Sequence, residues 1–204
     1  MLAPSLPLYG LDIETDTSCG GLDPRAGGIV AAALATADGP LVFAGPEPQL
    51  LAALDAALAS MAPGVVVTWH GAGFDLPFLA DRAEHCGVPL RLALTLDPGI
   101  DVRCPLAGHD GAYRASWGAH THLDAYQLWR DVGRALLPSC SLKFMARFFG
   151  LAAVEVDRAR IHELDEATLA AYVASDADLA RRLAALRWHA APRFLDCDHT
   201  PAFA

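Results

Sequence analysis

Hydrophobic residues recur along the chain with two different periods, one typical of strands and one typical of helices. Strand-like and helix-like stretches follow one another. Apolar stretches at residues 8–13, 28–36 and 41–44 predict three strands, the last two joined by a hairpin turn at residues 37–40. Residues 49–61 carry leucines on one side and predict a helix. The chain is therefore expected to begin with paired strands that a helix covers.

The rest of the chain continues this alternation. It predicts strands at residues 64–69 and 121–125, and helices at residues 75–86, 126–136, 142–149 and 166 to about 190. Gly87 is expected to end the second helix, and Ser139 or Ser141 to cap the start of the fourth. Strands that alternate with helices predict an α/β fold with a mixed β-sheet flanked by α-helices.

The 204 residues fit a single domain with a core at about residues 8–190. Residues 90–119 are rich in Gly and Pro, and they predict a surface insertion with one or two short strands. The tail from Pro192 is expected to be irregular. No apolar run is long enough for a transmembrane helix, and the N-terminus does not resemble a signal peptide. Five scattered cysteines without a C-x-x-C pair favour a cytoplasmic location.

The formal net charge of −9 argues against a broad basic surface for nucleic acid, because lysine and arginine normally supply the affinity for phosphates. Two arguments weaken this objection. An enzyme that releases its substrate in each cycle needs only local positive charge, and bound divalent cations add charge that the sequence does not contain. The chain also lacks a phosphate-binding loop, a dinucleotide-binding glycine motif and a serine hydrolase elbow, which disfavours those three classes.

Two carboxylates stand at the end of the first predicted strand, in Leu11-Asp12-Ile13-Glu14-Thr15. Residues two apart on a strand point to the same face, so Asp12 and Glu14 project together. Paired carboxylates repel one another and are costly to desolvate, and a divalent cation removes both penalties. The alternative is that the strand has ended and both side chains lie in water, and the D-x-E motif alone does not decide between the two.

Two further motifs contain acids in positions that suit the same chemistry. Asp75 follows His70 and Phe74 at the start of a predicted helix, where an ordinary helix cap is an equally good explanation. Tyr172 and Asp176 are four residues apart on the last helix and share a face, although a solvated face is also possible.

Taken together and in this order, the motifs resemble those of the DEDDy branch of the DEDD 3′–5′ exonucleases, a superfamily with a ribonuclease H-like fold. The likeness is greatest to the exonuclease domain of family B DNA polymerases and to stand-alone bacterial nucleases similar to it. It extends over about residues 9–186 and leaves residues 90–119 unmatched. The stretches that carry it are residues 12–15 with 21–24, 74–78, 122–126 and 139–143.

The resemblance implies a two-metal hydrolysis in which Asp12, Glu14, Asp75 and Asp176 hold two divalent ions, Mg²⁺ or Mn²⁺. It also implies that Asp12 bridges the metals and that Tyr172 orients the attacking water. The implied partner is a nucleic acid with a free 3′ end, with DNA favoured over RNA, in processes such as DNA repair.

The resemblance also implies contacts between the protein and its substrate. Thr15 and Phe74 are expected to contact the terminal nucleotide. His70 stands where the family usually has Asn, so it is expected to shape the turn or to touch substrate. The His variant of the superfamily has its histidine five positions before the last Asp, where this chain has Ala171, so Tyr172 fits the Tyr variant.

Lys143 and Arg147 are four residues apart on a predicted helix and could hold a phosphate, or could form a solvated basic face. Asp124 could line the same cleft or simply cap the following helix. A zinc site is disfavoured, because its candidate ligands match no zinc spacing. These candidates are Cys104, His109, His120 and His122.

Two other functions remain open from the sequence. An RNA 3′-end trimming exoribonuclease would use the same acids, and only contacts to the 2′-hydroxyl would distinguish it. A catalytically silent nucleic-acid-binding or polymerase-associated module could have the same fold, although such a module would have no chemical need for the four acids and Tyr172.

Overall fold

The structure, a computed structural model, describes residues 6–19 and 22–195. Gly21 of the first matched loop, Cys197 and the part of the tail after residue 195 lie outside the described residues. Seven strands are described: β1 Leu8–Thr15, β2 Ile29–Ala35, β3 Pro40–Ala44, β4 Val65–Thr68, β5 Leu92–Leu96, β6 Tyr113–Trp117 and β7 His120–Asp124. Five α-helices accompany them: α1 Glu47–Ser60, α2 Asp75–Cys86, α3 Ala125–Leu136, α4 Leu142–Phe148 and α5 Glu166–Leu186.

All seven strands form one sheet in the order β3-β2-β1-β4-β7-β6-β5. The three central strands β1, β4 and β7 are parallel, and the other neighbouring pairs are antiparallel. Helices cover both faces of this mixed sheet. The side chains of β4 show this most directly, because Val66 packs in one apolar cluster while Val65 and Val67 pack in another. The predicted α/β class, with a mixed sheet flanked by helices, is confirmed.

Strand β1 presents different residues to the two sides of the sheet. Leu11 and Ile13 pack in a cluster with residues of α1 and α2. Gly10 faces α5, and a Cβ placed there would lie 2.0 Å from the backbone carbonyl oxygen of Ala177. Glycine at this position therefore lets α5 approach the backbone of β1 directly. The same alternation directs Asp12 and Glu14 towards α5.

Residues 90–119 contribute the antiparallel pair β5 and β6 at one edge of the sheet. This hairpin is fastened to α1 through Asp55, which forms an ion pair of 2.5 Å with Arg91 and accepts a hydrogen bond of 2.8 Å from the indole of Trp117. Trp117 is only 2% exposed, so the base of the segment belongs to the core. The loop between the two strands extends over residues 97–112.

Two predicted helix ends agree with the structure, while the bounds of α1 and α5 differ, since α1 was expected at residues 49–61 and extends over Glu47–Ser60. Gly87 ends α2 in a left-handed conformation with φ of 65°, and Ser141 caps α4 by accepting a hydrogen bond from the backbone N–H of Phe144. Helix α5 ends at Leu186, earlier than the expected residue of about 190, and a 3₁₀ turn Trp188–Arg193 follows. The α-helix ends where Arg187 leaves the α conformation, with φ of −121° and ψ of 26°.

No helix in the ranges that the structure describes is both long enough and apolar enough to cross a membrane.

Candidate active site

Three carboxylates converge where the end of β1 meets α5. Asp12 and Glu14 come from β1, and Asp176 comes from the middle of α5. One oxygen from each of the three side chains lies within 4.8 Å of the other two. Close packing of α5 on Gly10 places these two elements near enough for the three carboxylates to meet.

These acids are held where their negative charge is poorly compensated. The Oδ2 atom of Asp12 is buried and has no hydrogen-bond partner among the residues that the structure describes. Burial and the charges of its acidic neighbours raise the pKa of Asp12 well above its usual value. Burial and the charge of Asp176 likewise raise the pKa of Glu14 to about 8. An arrangement of this kind binds cations strongly, because a cation satisfies the unpartnered oxygen and removes the repulsion.

Asp75 lies beside this cluster, on the first turn of α2. Burial raises its pKa to about 7, while hydrogen bonds from its own backbone N–H and from that of Ile13 oppose the rise. Its negative charge also raises the pKa of Asp12 and of Glu14. Phe74 is the N-cap residue of α2. Asp75 therefore interacts electrostatically with Asp12 and Glu14, and its hydrogen bond from Ile13 joins α2 to β1.

Lys143 reaches into the same site from α4. Its ammonium group pairs with Asp176 Oδ1 and donates a hydrogen bond of 2.7 Å to the carbonyl of Val154. It also lies 4.5 Å from the ring centroid of Tyr172, in a cation–π contact. Lys143 therefore compensates one of the negative charges of the cluster.

Tyr172 is 1% exposed and precedes Asp176 by one helical turn. Burial and the charges of Asp176 and Glu14 raise the pKa of its hydroxyl further above its ordinary value. The phenol consequently stays protonated at neutral pH and can donate a hydrogen bond into the site.

One cation near the acids was not identified from the sequence. The positive charge of Arg158 lowers the pKa values of Glu14, Asp75 and Asp176, so Arg158 lies close to all three. It follows Asp157, the N-cap of the 3₁₀ turn Arg158–Glu163. No motif marks this loop, and only the folded chain shows that it returns to the site.

His70 has the left-handed backbone conformation, with φ of 68°, and is the only described non-glycine residue that does. Asp124 holds this turn by accepting hydrogen bonds from the backbone N–H groups of His70 at 2.9 Å and Ala72 at 3.3 Å. The ring of His70 stacks on Tyr126 with centroids 3.7 Å apart. Asn tolerates this conformation better than most residues, which explains why Asn would suit the position.

Asp124 also accepts a hydrogen bond of 3.0 Å from the backbone N–H of Tyr126 and thereby caps α3. Both of its expected roles are thus compatible with the structure. Phe74 packs on Phe78 with ring centroids 5.4 Å apart and lines a cavity at the start of α2. Thr15 is buried at the end of β1.

Lys143 and Arg147 have different partners in the structure, where the sequence left open a shared phosphate or a solvated basic face. Lys143 pairs with Asp176, whereas Arg147 forms an ion pair of 2.7 Å with Glu155 at the exposed surface. Both side chains start from the short helix α4, but each one pairs with a different carboxylate.

The four side chains considered for zinc have separate surroundings. Cys104 is exposed, and His109 hydrogen-bonds to Asp81 and Tyr113. His120 donates to the carbonyl of Leu58, and His122 hydrogen-bonds to Thr68.

Comparisons with known proteins bear on the fold. Neither a protein-family model nor a curated protein matches the chain. Among solved structures, it is similar to the family B DNA polymerase from the hyperthermophilic archaeon Pyrobaculum calidifontis, with a TM-score of 0.70 and 24% identity. The alignment covers 89% of this chain but only 24% of the polymerase, so the chain spans about a quarter of that protein. This likeness and the seven-stranded sheet are consistent with the expected ribonuclease H-like fold.

Proposed function

We propose that this chain is a metal-dependent 3′–5′ exonuclease that removes nucleotides from the 3′ end of single-stranded or frayed DNA. The observation that carries the proposal is the convergence of Asp12, Glu14 and Asp176 around a buried, unpartnered carboxylate oxygen. Carboxylate oxygens are the ligands that Mg²⁺ and Mn²⁺ prefer in proteins.

Two further findings support this function. The similar polymerase acts on DNA, and the aligned quarter of it corresponds in our proposal to an exonuclease domain. The four acids and Tyr172 are also the five residues that the motifs of the DEDDy exonucleases require.

In the proposed reaction, water attacks the terminal phosphodiester, the bond from phosphorus to the 3′ oxygen breaks, and a nucleoside 5′-monophosphate leaves. Asp12, Glu14 and Asp176 would hold the divalent cations, with Asp75 in support. Bound cations supply positive charge to the reacting phosphate and lower the pKa of coordinated water. Tyr172, with its phenol protonated, orients the attacking water by a hydrogen bond. Phe74 and Thr15 contact the terminal nucleotide, and His70 shapes the turn beside it.

The test is a time course on end-labelled DNA and RNA oligonucleotides of matched sequence with Mg²⁺, Mn²⁺ or EDTA. We expect stepwise shortening from the 3′ end of DNA with either metal and none in EDTA. Asp12→Ala and Asp176→Ala should reduce the rate at least about a hundredfold, because a metal supplies several kcal/mol of charge stabilisation and each 1.36 kcal/mol is tenfold.

Asp178→Ala is the matched control. Asp178 also lies on α5 but pairs with Arg181 at 2.6 Å, outside the acid cluster. If both site variants trim at the wild-type rate, the proposal is wrong. Preferred trimming of RNA would support the exoribonuclease alternative, and calorimetric metal binding without hydrolysis would support a silent binding module. A cytoplasmic location and a polymerase or repair partner remain predictions.

A further inference from the structure

A cavity of about 850 Å³ adjoins the turn that leads into α2. His70 and Phe74 line one side, and Phe74 directly precedes Asp75. Residues 100–107, from the loop between β5 and β6, also line the cavity, and α3 with its connection to α4 contributes further lining residues. The volume is near the upper end of the range of about 300–1,000 Å³ for ligand pockets. The cavity thus has room for a ligand longer than one small molecule.

Two arginines line this cavity, Arg103 from the loop and Arg134 from the last turn of α3. Among the described residues, neither guanidinium has an ion-pair or hydrogen-bond partner. Two acids also line the cavity. Asp124 directs its oxygens to the backbone N–H groups of the His70 turn, and Asp101 is exposed at the rim. In a chain with a net charge of −9, two arginines that line one cavity and have no ion-pair partner among the described residues indicate an anionic ligand.

The loop that carries Arg103 is held firmly at several points. His109 bridges the loop to α2 through Asp81, at 3.0 Å, and hydrogen-bonds at 2.7 Å to Tyr113. Asp97 pairs with Arg114 at 2.6 Å across the base of the loop. Leu106 is 5% exposed and packs into the core. These contacts fix the loop as a wall of the cavity.

A groove that combines cations with an aromatic face suits a single nucleic-acid strand, whose phosphates meet the cations while a base stacks on the ring. We infer that residues 100–107 form the outer wall of the groove that holds the strand upstream of the reacting nucleotide, with Arg103 and Arg134 neutralising its phosphates. The inference rests on the proposed exonuclease function. The family motifs do not match residues 90–119, and this inference assigns that segment a role in substrate binding.

The test compares Arg103→Gln and Arg134→Gln with Arg182→Gln. Arg182 is exposed on α5, and its one ion pair within the described residues is with Asp178, so its replacement removes the same charge away from the groove. Binding of a fluorescent single-stranded DNA is measured by anisotropy in EDTA over about 50–200 mM salt. Each groove variant should lower the slope of log Kd against log salt by about 0.7, the value for one phosphate contact on a single strand. The control should leave the slope unchanged.

Kinetics with Mg²⁺ supply the second measurement. Each groove variant should raise KM for an oligonucleotide about two- to fivefold, as expected for a partly exposed charge pair. Cleavage of the 4-nitrophenyl ester of thymidine 5′-monophosphate, which has no upstream phosphate, should not change. The inference would be overturned if both groove variants kept the wild-type salt slope and the wild-type KM. It would also be overturned if the variants lost activity equally on the oligonucleotide and on the nitrophenyl ester.

The two proposals fail separately. If the wild-type protein hydrolyses neither DNA nor RNA, the proposed function is lost, while a reduced salt slope in the groove variants still supports the groove. If the wild-type protein is an exonuclease and the groove variants bind DNA as the control does, only the groove inference is lost. Thermal unfolding of all three variants should match the wild type, since the replaced side chains are exposed.

Discussion

Replacing Gly10 with Ala tests whether direct packing of α5 on β1 holds the acid cluster together. The new Cβ would lie 2.0 Å from the carbonyl oxygen of Ala177 and 2.8 Å from its carbonyl carbon. Ordinary contact begins at 3.4 Å, so the two elements would have to separate by about 1.4 Å, the difference between 3.4 and 2.0 Å. The clashing atoms belong to the backbone and cannot rotate away, so α5 itself must move.

Inserting a methyl group into a packed interior costs about 1–3 kcal/mol, and a clash with backbone should lie at the upper end. A loss of about 3 kcal/mol in a chain of this size lowers Tm by about 6–12 °C. The movement also takes Asp176 away from Asp12 and Glu14, whose oxygens now lie within 4.8 Å of it. A misplacement of about 1 Å can reduce a catalysed rate about a hundredfold.

Urea unfolding and calorimetric titration with Mn²⁺ measure the two effects. Gly111→Ala is the control, because a Cβ there meets only Leu96 Cδ1 at 3.4 Å. The control should change the free energy of unfolding by no more than about 0.5 kcal/mol and leave metal affinity unchanged. If Gly10→Ala unfolds at the wild-type urea concentration and binds metal equally well, the close packing of α5 on β1 does not exist.

Three further predictions concern the site. Without metal, the free energy of unfolding should fall as pH rises from about 4.5 to about 8, because burial and the charge of Asp176 raise the pKa of Glu14 from 4.5 to about 8 and the folded state retains the proton. Saturating Mg²⁺ should restore the free energy of unfolding at the higher pH. A free energy of unfolding from urea curves that does not fall between these pH values would contradict the reasoning. Tyr172→Phe should lower kcat about tenfold, the value of one hydrogen bond, with calorimetric metal affinity retained, and an unchanged kcat would exclude Tyr172. In urea unfolding, His70→Val should lower the free energy of unfolding by about 1–2 kcal/mol and His70→Asn by less than about 1 kcal/mol, because a β-branched residue is strained at a φ of 68°. Equal losses in the two variants would refute this prediction.

The acidic motif on β1 was the part of the site that local pattern predicted best. Strand periodicity alone places Asp12 and Glu14 on one face, and the structure shows that their oxygens lie together. Asp176 joins them through the helix that packs on Gly10. The order of the motifs along the chain suggested this convergence, but no local rule gives the distance between β1 and α5.

The surroundings of the acids were harder to predict. A basic face on α4 was one expectation for Lys143, yet its side chain reaches Asp176 and the carbonyl of Val154. Arg158 has no motif, and its position depends on how residues 149–165 return towards β1. Both placements result from long-range packing, which a pattern within one element does not encode.

The sequence by itself determined the alternation of strands and helices and which face of β1 carries its acids, because these features depend only on backbone periodicity. The tertiary structure alone decided that α5 approaches close enough to join its acid to theirs, that Lys143 neutralises part of the cluster, and that the hairpin at residues 90–119 walls a cavity. Such relations join residues far apart in the chain, and their geometry is set by packing between elements, so no local stretch of sequence contains it.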